Sequence, residues 1–324
     1  MSELNQIREP IKLEIKQFEK HFKQSLKSNI PLLDIITNYI LRKKGKQMRP
    51  AFVLLSARMF GEIGPSSYTA ASMIELLHTA SLIHDDVVDE SHERRGFFSI
   101  NALWKSKVAV LVGDYLLAKG LLLSVATKQY EVLELVSEAV KEMSEGELLQ
   151  IQKSRKLNIS MEDYFEIIRK KTAALIAACT ASGARSAGAS DAQVALMKEF
   201  GELTGIAFQI KDDLFDYERN GKIGKPTAND IKEKKMTLPL IYALEVCPSS
   251  ERRKIISIVK HHNRNADKVD EVISFVKNYG GLAFAEQKMQ EYKNLAFEKL
   301  NSFPDSESKK SLIALLEFTI SRKE

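Results

Sequence analysis

The sequence predicts an all-α protein, and three observations support this. Only 8 Pro and 15 Gly occur in 324 residues, and they fall mostly between long segments of helical apolar periodicity. No Pro/Gly/Ser-rich linker or shift in composition divides the chain. Internal repetition is confined to one short acidic motif, which excludes a solenoid. We therefore expect a single helical domain over residues 1–324 with a large apolar core.

The apolar periodicity places the helices in order along the chain. They are predicted over 4–25, 30–42, 49–60, 67–90, 106–126, 130–152, 160–182, 191–216, 236–246, 250–262, 266–279, 281–300 and 306–322. Several starts carry local signals. Ser160 with Asp163 and Ser190 with Gln193 resemble capping boxes, and Thr237 is suited to the N-cap position.

Composition restricts the function classes. The 48 basic and 43 acidic side chains are mixed along the sequence, which favours a solvated surface over a nucleic-acid interface. Cys179 and Cys247 lack metal-type spacing and suggest reduced thiols in a cytoplasmic protein. The start, MSELNQIREP, lacks the apolar region of a secretory signal. Val108 to Ala126 comes nearest to a membrane span, but Asp114 and Lys119 interrupt it, so we expect a buried core helix and no span.

The string Asp-Asp-x-x-Asp occurs twice, each time inside apolar sequence. The copies are Asp85, Asp86 and Asp89, and Asp212, Asp213 and Asp216. On a helix the first and last carboxylates of each copy are neighbours, and like charges at that spacing are destabilising unless a cation neutralises them. Carboxylate oxygens favour Mg²⁺, which fills its remaining positions with water and substrate phosphates. The motifs therefore predict a phosphorylated ligand held through metal.

A basic loop follows each acidic motif. Residues 91–100 contain Arg94 and Arg95, and residues 217–230 contain Lys225 among Gly and Pro. Arg gives bidentate contacts to phosphate oxygens, whereas Lys supplies a compact charge. Metal with adjacent basic side chains is the combination that a diphosphate requires.

Other polar residues are weaker candidates when each is taken alone. They are Lys46, Arg49, His78, Lys171, Thr172, Gln209 and Lys235. Lys46 and Arg49 lie at a helix start, where backbone N–H groups attract anions, but an ordinary helix start has the same pattern. His78 fits a buried core side chain as well as a ligand contact, and a buried Gln209 needs a partner. The three lysines are equally consistent with charges that are solvated at the protein surface.

Six segments together resemble the trans-isoprenyl diphosphate synthases, specifically the bacterial long-chain members that make hexa- to decaprenyl chains such as octaprenyl. They are GKQMRP (45–50), ELLHTASLIHDDVVDESHERRG (75–96), LVGDYLL (111–117), KKTAAL (170–175), FQIKDDLFDY (208–217) and GKPTANDIKEKK (224–235). The resemblance implies an isoprenoid-synthase helical bundle around a deep central cavity. It also implies a catalytic core at about 30–245, C-terminal helices at about 250–322, a homodimer, and Mg²⁺ as cofactor, three ions with substrate bound.

The resemblance also assigns roles by position. The principal Mg²⁺ ligands would be Asp85, Asp89 and Asp212, with Asp86, Asp213 and Asp216 acting through other residues or metal-bound water. The allylic diphosphate would be bound by Arg94, Lys171, Lys225 and Lys235. Isopentenyl diphosphate would be bound by Lys46, Arg49, His78 and Arg95. Thr172 and Gln209 would face the reacting carbons as dipoles that stabilise positive charge.

The implied reaction is head-to-tail condensation of isopentenyl diphosphate with geranyl or farnesyl diphosphate. If the diphosphate is fixed at Asp85, the growing tail runs back along the same helix past Ser81, Ala80 and Leu77. Short-chain members of the family carry bulky aromatic groups at the first two of these positions, and here both are small. We therefore expect an all-trans product beyond C20, in the C30–C50 range used for quinone side chains. Release of so apolar a product suggests peripheral contact with a membrane.

Four other readings stay open. The nearest is a shorter-chain farnesyl or geranylgeranyl diphosphate synthase. A class I terpene cyclase pairs one Asp-rich motif with a different metal site, whereas this chain has the same motif twice. A His-Asp phosphohydrolase would use His84 with Asp85, but no second ligand motif accompanies them. A regulatory subunit of a two-component synthase would lack the complete pair of motifs.

Overall fold

The computed structural model describes residues 3–42, 45–94, 97–154, 157, 159–217 and 229–321, without the side chain of Arg94. α-Helices follow one another along almost all of these residues. Within these ranges the β structure is one antiparallel pair, β1 (Glu93–Arg94) and β2 (Phe97–Phe98). The all-α prediction is confirmed.

The helices, in chain order, are α1 (Glu3–Ile7), α2 (Lys12–Ser25), α3 (Pro31–Arg42), α4 (Met48–Arg58), α5 (Pro65–Val88), α6 (Ile100–Ala126), α7 (Tyr130–Ser154), α8 (Met161–Ile168), α9 (Ala174–Ser186), α10 (Asp191–Phe215), α11 (Asn229–Lys232), α12 (Leu238–Val246), α13 (Ser249–His261), α14 (Ala266–Asn278), α15 (Gly281–Asn301) and α16 (Glu307–Ser321). A 3₁₀ turn, Glu9–Ile11, precedes α2, and a π-helical turn, Arg169–Ala173, joins α8 to α9. Most predicted helices are present with small shifts at their ends.

Two of the three predicted helix starts are confirmed in detail. Ser160 and Asp163 form both bonds of a capping box at α8. Ser190 and Gln193 exchange the same pair of bonds before α10. Thr237 occupies the N-cap position of α12, but its side chain makes no capping bond. Its hydroxyl instead lies 2.6 Å from the hydroxyl of Tyr217.

The structure differs from the prediction in four places. The helix predicted over 4–25 is divided into α1, the 3₁₀ turn and α2, and the short helix α11 was not predicted. Helix α6 begins at Ile100 rather than 106, because Ser99 accepts a capping bond from the N–H of Ala102. Lys105, with φ 69°, then interrupts its helical geometry. The helix predicted over 160–182 is divided by the π-helical turn, a feature that changes backbone hydrogen bonding without changing the side-chain types that periodicity detects.

The chain divides into two compact units, each built from three separate stretches. The first contains Met1–Val140, Ile176–Lys198 and Phe303–Leu315, and the second contains Lys141–Leu175, Glu199–Ser302 and Leu316–Glu324. The single-domain assignment of residues 1–324 stays a prediction.

In the first unit, α5 and α6 pack closely and antiparallel through glycines. A Cβ on Gly113 would lie 2.1 Å from Nε2 of His84, and one on Gly120 would lie 3.6 Å from Leu77. The pairs are one heptad apart on both helices and run in opposite directions. Backbone contact at Gly113 therefore positions the C-terminal end of α5, where the first Asp motif lies.

In the second unit, the core is formed by apolar side chains of α8, α10, α12 and α14. Ile210, Leu238 and Val272 are fully buried there. Helix α15 begins against α12, where a Cβ on Gly281 would lie 2.2 Å from the carbonyl oxygen of Pro239. These contacts hold α10 and the start of α12 around the second Asp motif.

Helix α6 is long and apolar enough to span a membrane by the criteria of length and composition alone. The buried-core prediction for 108–126 is wrong for one face of this helix. The face carries exposed apolar side chains, namely Leu103, Val110, Leu111, Leu121, Leu122 and Val125. Ala109, Val112 and Leu116 on the opposite face are buried.

Candidate active site

The first Asp motif lies at the C-terminal end of α5. Asp85 is partly exposed, Asp86 is buried with 4% of its surface exposed, and Asp89 is exposed. Asp89 is the C-cap residue, and its N–H donates to the carbonyl oxygen of Asp85 at 2.8 Å. The first and last carboxylates of the motif thus remain accessible, whereas the middle one does not.

The second motif lies at the C-terminal end of α10 and distributes its carboxylates in a related way. Asp212 is exposed, Asp213 has 4% of its surface exposed, and Asp216 is intermediate. In both copies the middle residue is directed into the core of its own unit. The assignment of Asp85, Asp89 and Asp212 as direct metal ligands stays a prediction.

Asp213 is the centre of a hydrogen-bond network. Its Oδ1 accepts from Nε2 of Gln209 at 3.0 Å, and its Oδ2 accepts from the hydroxyl of Tyr164 at 2.8 Å and the N–H of Leu238 at 3.2 Å. Oε1 of Gln209 accepts from the hydroxyl of Thr172 at 2.9 Å. Burial raises the pKa of Asp213 to about 7, although these donors favour the ionised form. Three of the predicted site residues, Thr172, Gln209 and Asp213, are therefore brought together.

Asp216 organises the chain beyond the second motif. Its Oδ1 accepts from the N–H of Asn229 at 2.7 Å and its Oδ2 from the N–H of Asp230 at 3.1 Å, which caps α11. Burial raises its pKa. With both oxygens engaged by backbone, Asp216 is better suited to an indirect role than to direct metal ligation.

Asp230 is a further acidic residue of this site, and sequence reasoning missed it. Burial and the nearby charge of Asp216 raise the pKa of Asp230 to about 6, and the charge of Asp212 also contributes. Lys235, one of the predicted diphosphate ligands, lies 3.7 Å from Asp230 and also pairs with Glu233. The only sequence signal was its place in the GKPTANDIKEKK segment, where it resembles an ordinary solvated charge.

Lys171 and Thr172 lie in the π-helical turn between α8 and α9. A Cβ on Gly146 of α7 would lie 2.8 Å from the backbone N of Lys171, and one on Gly205 of α10 would lie 2.5 Å from Cα of Ala173. The turn is thus held between two helix backbones. Such turns occur often at functional sites.

The side chain of Lys171 is directed toward α7. It pairs with Glu147, and its Nζ donates to Oε1 of Gln150 at 3.2 Å. Binding a diphosphate through Lys171 therefore requires it to exchange at least one of these partners.

The residues predicted to bind isopentenyl diphosphate belong to the first unit. Lys46 is exposed, Arg49 lies in the first turn of α4 and is partly buried, and His78 is buried on α5. Burial raises the pKa of the Cys179 thiol to about 12, and the charge of Arg49 acts in the opposite direction. Arg95 and Lys225 lie outside the described residues, as does the side chain of Arg94.

The three chain-length residues follow α5 back from the first motif. Ala80 is fully buried, Ser81 is partly buried with its hydroxyl donating to the carbonyl oxygen of His78 at 2.9 Å, and Leu77 is buried. Leu77 packs toward Gly120 of α6. Ala80 and Ser81 thus place no bulky side chain at these two positions of α5.

The donor chemistry fits a divalent metal that is completed by substrate. Throughout the described residues, no three His, Cys, Asp or Glu side chains form a cluster that could hold a metal ion. Mg²⁺ usually binds one or two protein carboxylates and takes its remaining ligands from water and phosphates. Asp85, Asp89 and Asp212 are accessible oxygen donors of this kind.

Comparison with known proteins agrees with these features. The polyprenyl synthetase family model matches residues 30–276. Octaprenyl diphosphate synthase of Haemophilus influenzae is 31% identical and covers 99% of this chain and 97% of its own. A polyprenyl synthase structure from Caulobacter crescentus, complexed with calcium and isoprenyl diphosphate, is 30% identical over 99% of this chain and 98% of its own, with TM-score 0.90.

A geranylgeranyl pyrophosphate synthase structure from Bacteroides thetaiotaomicron is similar as well. It is 40% identical over 99% of this chain and 100% of its own, with TM-score 0.85. The family match covers most of the chain and includes both Asp motifs, the π-helical turn and α11. The chain is therefore a trans-prenyltransferase of the polyprenyl synthetase family.

Proposed function

We propose that this chain condenses isopentenyl diphosphate with geranyl or farnesyl diphosphate to give an all-trans polyprenyl diphosphate of C30–C50, destined for quinone side chains. The observation that carries the proposal is the related arrangement of the two Asp motifs, each at the end of a long helix with its middle carboxylate buried. Two such sites in a member of the polyprenyl synthetase family support a diphosphate substrate that is bound through metal.

The cofactor is a divalent metal, in agreement with the calcium in the Caulobacter crescentus complex. We propose Mg²⁺, three ions with substrate bound, held mainly by Asp85, Asp89 and Asp212. When bound, the metal supplies positive charge that stabilises the departing diphosphate.

Basic side chains of this protein bind the substrate diphosphates. Lys171 and Lys235 each lie beside carboxylates, and we propose that an allylic diphosphate replaces those carboxylates as their partner. Arg94 and Lys225 complete this set. Lys46, Arg49, His78 and Arg95 bind isopentenyl diphosphate, and the position of Arg49 in the first turn of α4 adds backbone N–H groups of that turn.

The reaction proceeds by charge stabilisation and positioning. The allylic C–O bond breaks, its electron pair leaves with the diphosphate, and an allylic cation remains. The double bond of isopentenyl diphosphate attacks that cation, and a proton is then lost to the released diphosphate. The dipoles of Thr172 and Gln209 stabilise the positive charge, and their mutual hydrogen bond fixes them beside each other.

Product length is set along α5. Ala80 and Ser81 are small, so a growing chain meets no aromatic floor in the turn before Asp85. This supports a product beyond C20 and favours a long-chain synthase. A farnesyl or geranylgeranyl synthase is the second candidate, because the chain is similar to the Bacteroides thetaiotaomicron enzyme.

We propose a homodimer that associates through the exposed apolar face of α6. Leu111 and Leu122 on this face are 59% and 64% exposed, and a row of such side chains favours burial against a second copy. Release of a C30–C50 product, which is insoluble in water, would use peripheral contact with a membrane.

One assay tests the function and separates the candidates. Purified protein is incubated with Mg²⁺, radiolabelled isopentenyl diphosphate and, in parallel reactions, geranyl or farnesyl diphosphate, and dephosphorylated products are separated by chain length. We expect polyprenols beyond C20. Products that stop at C15 or C20 would establish the shorter-chain enzyme, cyclic hydrocarbons a terpene cyclase, and phosphate alone a phosphohydrolase. Activity only with an added second protein would indicate a subunit of a two-component synthase.

A further inference from the structure

We propose that Tyr164 is a positioning residue for the condensation, which fixes the Gln209 amide and the Thr172 hydroxyl through Asp213. This inference rests on the function proposed above for Gln209 and Thr172. In this proposal Tyr164 neither exchanges a proton during the reaction nor contacts the substrates, and it acts only through Asp213.

The four side chains form one continuous chain of hydrogen bonds. Tyr164 donates to Asp213 at 2.8 Å, Gln209 donates to Asp213 at 3.0 Å, and Thr172 donates to Gln209 at 2.9 Å. The chain connects α8, α10 and the π-helical turn. It therefore links a core tyrosine to the two dipoles assigned to the reacting carbons.

The acceptor character of the carboxylate gives this chain a single direction. Both oxygens of Asp213 act as acceptors, and the group of Gln209 that faces Asp213 is its NH₂. The amide oxygen of Gln209 then faces Thr172 and receives the hydroxyl proton. The lone pairs of the Thr172 oxygen are left for the substrate, and these are the part of a hydroxyl that stabilises a cation.

Tyr164 is well suited to holding Asp213 in place. Its side chain is buried, and burial keeps the pKa of its phenol well above the ordinary value, so the hydroxyl stays a donor. Its backbone N–H donates to the carbonyl oxygen of Ser160 at 3.0 Å, and Ser160 is the N-cap residue in the capping box of α8. Without the phenol hydroxyl, Oδ2 of Asp213 loses one of the two hydrogen bonds described for it and keeps the one from the N–H of Leu238. The carboxylate is then freer to rotate.

The variant Tyr164→Phe removes the hydroxyl and keeps the ring. We expect kcat for condensation to fall about 10- to 100-fold, with KM for isopentenyl diphosphate and the Mg²⁺ requirement within about twofold of wild type. Tyr217→Phe is the matched control, because it removes another buried hydroxyl of the same unit, one that contacts Thr237. It should lower Tm comparably and leave kcat within about twofold.

A double-mutant cycle separates positioning from general loss of packing. In a Gln209→Ala background, adding Tyr164→Phe should change kcat by less than about twofold, because the dipole it orients has been removed. Equal losses in both backgrounds, or a kcat for Tyr164→Phe no lower than for Tyr217→Phe, would overturn the inference. An inactive wild type, or a Gln209→Ala variant with full kcat, would instead show that the proposed function or its assignment of Gln209 is wrong.

Discussion

Asp86 and Asp213 hold equivalent places in the two Asp-Asp-x-x-Asp motifs, and each has only 4% of its surface exposed. The residue before each of them is more accessible. Neighbouring carboxylates on a helix therefore serve different purposes: one contributes to the core of its unit and the other is available to a ligand. Substitutions within one motif should accordingly affect either stability or metal use.

Asp85→Asn should impair catalysis without weakening the fold, because Asp85 is partly exposed. We expect kcat to fall about 100-fold or more and the Mg²⁺ concentration for half-maximal rate to rise. Steady-state kinetics over a Mg²⁺ titration, with Tm by calorimetry, measure both. Asp114→Asn, at an exposed carboxylate of α6, should leave all three values near wild type. A normal Mg²⁺ response in Asp85→Asn would contradict the metal assignment.

Ala80→Phe should shorten the product, because it places an aromatic ring on the path of the growing chain along α5. We expect the main product to fall to C15–C20 in the radiolabel assay. Ala126→Phe, at an exposed position near the end of α6, is the control and should leave the length unchanged. Ala80 is fully buried, so Ser81→Phe provides a second variant in case overpacking prevents folding. A long product from both folded variants would refute this tunnel geometry.

Gly113→Ala and Gly120→Ala should have opposite effects on stability. The first places a Cβ 2.1 Å from the imidazole of His84, which requires a shift of side chain or backbone costing about 1–3 kcal/mol. The second meets Leu77 at 3.6 Å, an ordinary contact, and gains about 0.5–1 kcal/mol of helix propensity. Urea unfolding of both variants measures the difference. Equal effects would show that α5 and α6 are not packed as described.

Leu122→Glu should convert the proposed dimer to a monomer, because it places a charge on the apolar face of α6. Light scattering coupled to size-exclusion chromatography measures the mass directly. Leu13→Glu is the matched control, because Leu13 is a leucine of similar exposure on α2. A wild-type protein that is already monomeric would remove the dimer from the proposal.

Stability without metal should fall as pH rises through the range in which Asp230 ionises. Burial raises the pKa of Asp230 to about 6, whereas the unfolded chain has an ordinary value of about 4. The folded protein therefore binds the extra proton. This contribution is complete below about pH 4 and is lost as pH rises through about 6. Asp230→Asn should reduce the slope of the free energy of unfolding against pH over this interval, as urea titrations at a series of pH values would show. The remaining slope comes from Asp213 and Asp216, whose pKa values burial also raises.

Much of the fold could be predicted because its signals are local. The apolar periodicity of α5 and α10, and the cap at Ser160, need only neighbouring residues to be read. The interruption at residues 169–173 could not be predicted, because its cause is the close backbone contact of Gly146 and Gly205, which are distant in sequence. The exposed face of α6 was missed for a similar reason, since hydropathy does not distinguish a buried apolar face from an exposed one.

The site shows the same division. The Asp motifs were identifiable because two acidic strings in apolar sequence are costly without a ligand. Asp230 was missed because burial and the charge of Asp216, neither of which can be read from its own charged segment, make it unusual. The connection of Tyr164 to Gln209 depends on three helices meeting at one carboxylate, and no spacing in the sequence encodes it.

The π-helical turn between α8 and α9 contains one more residue than a regular helix would need. Deleting a single residue from Arg169–Ala173 would restore an uninterrupted helical ladder, which is the more stable local arrangement. The same deletion would remove the bulge from the segment that carries Lys171 and Thr172, and the side chains of that segment would change direction. We therefore expect a deletion that regularises the backbone here to break the hydrogen bond between Thr172 and Gln209.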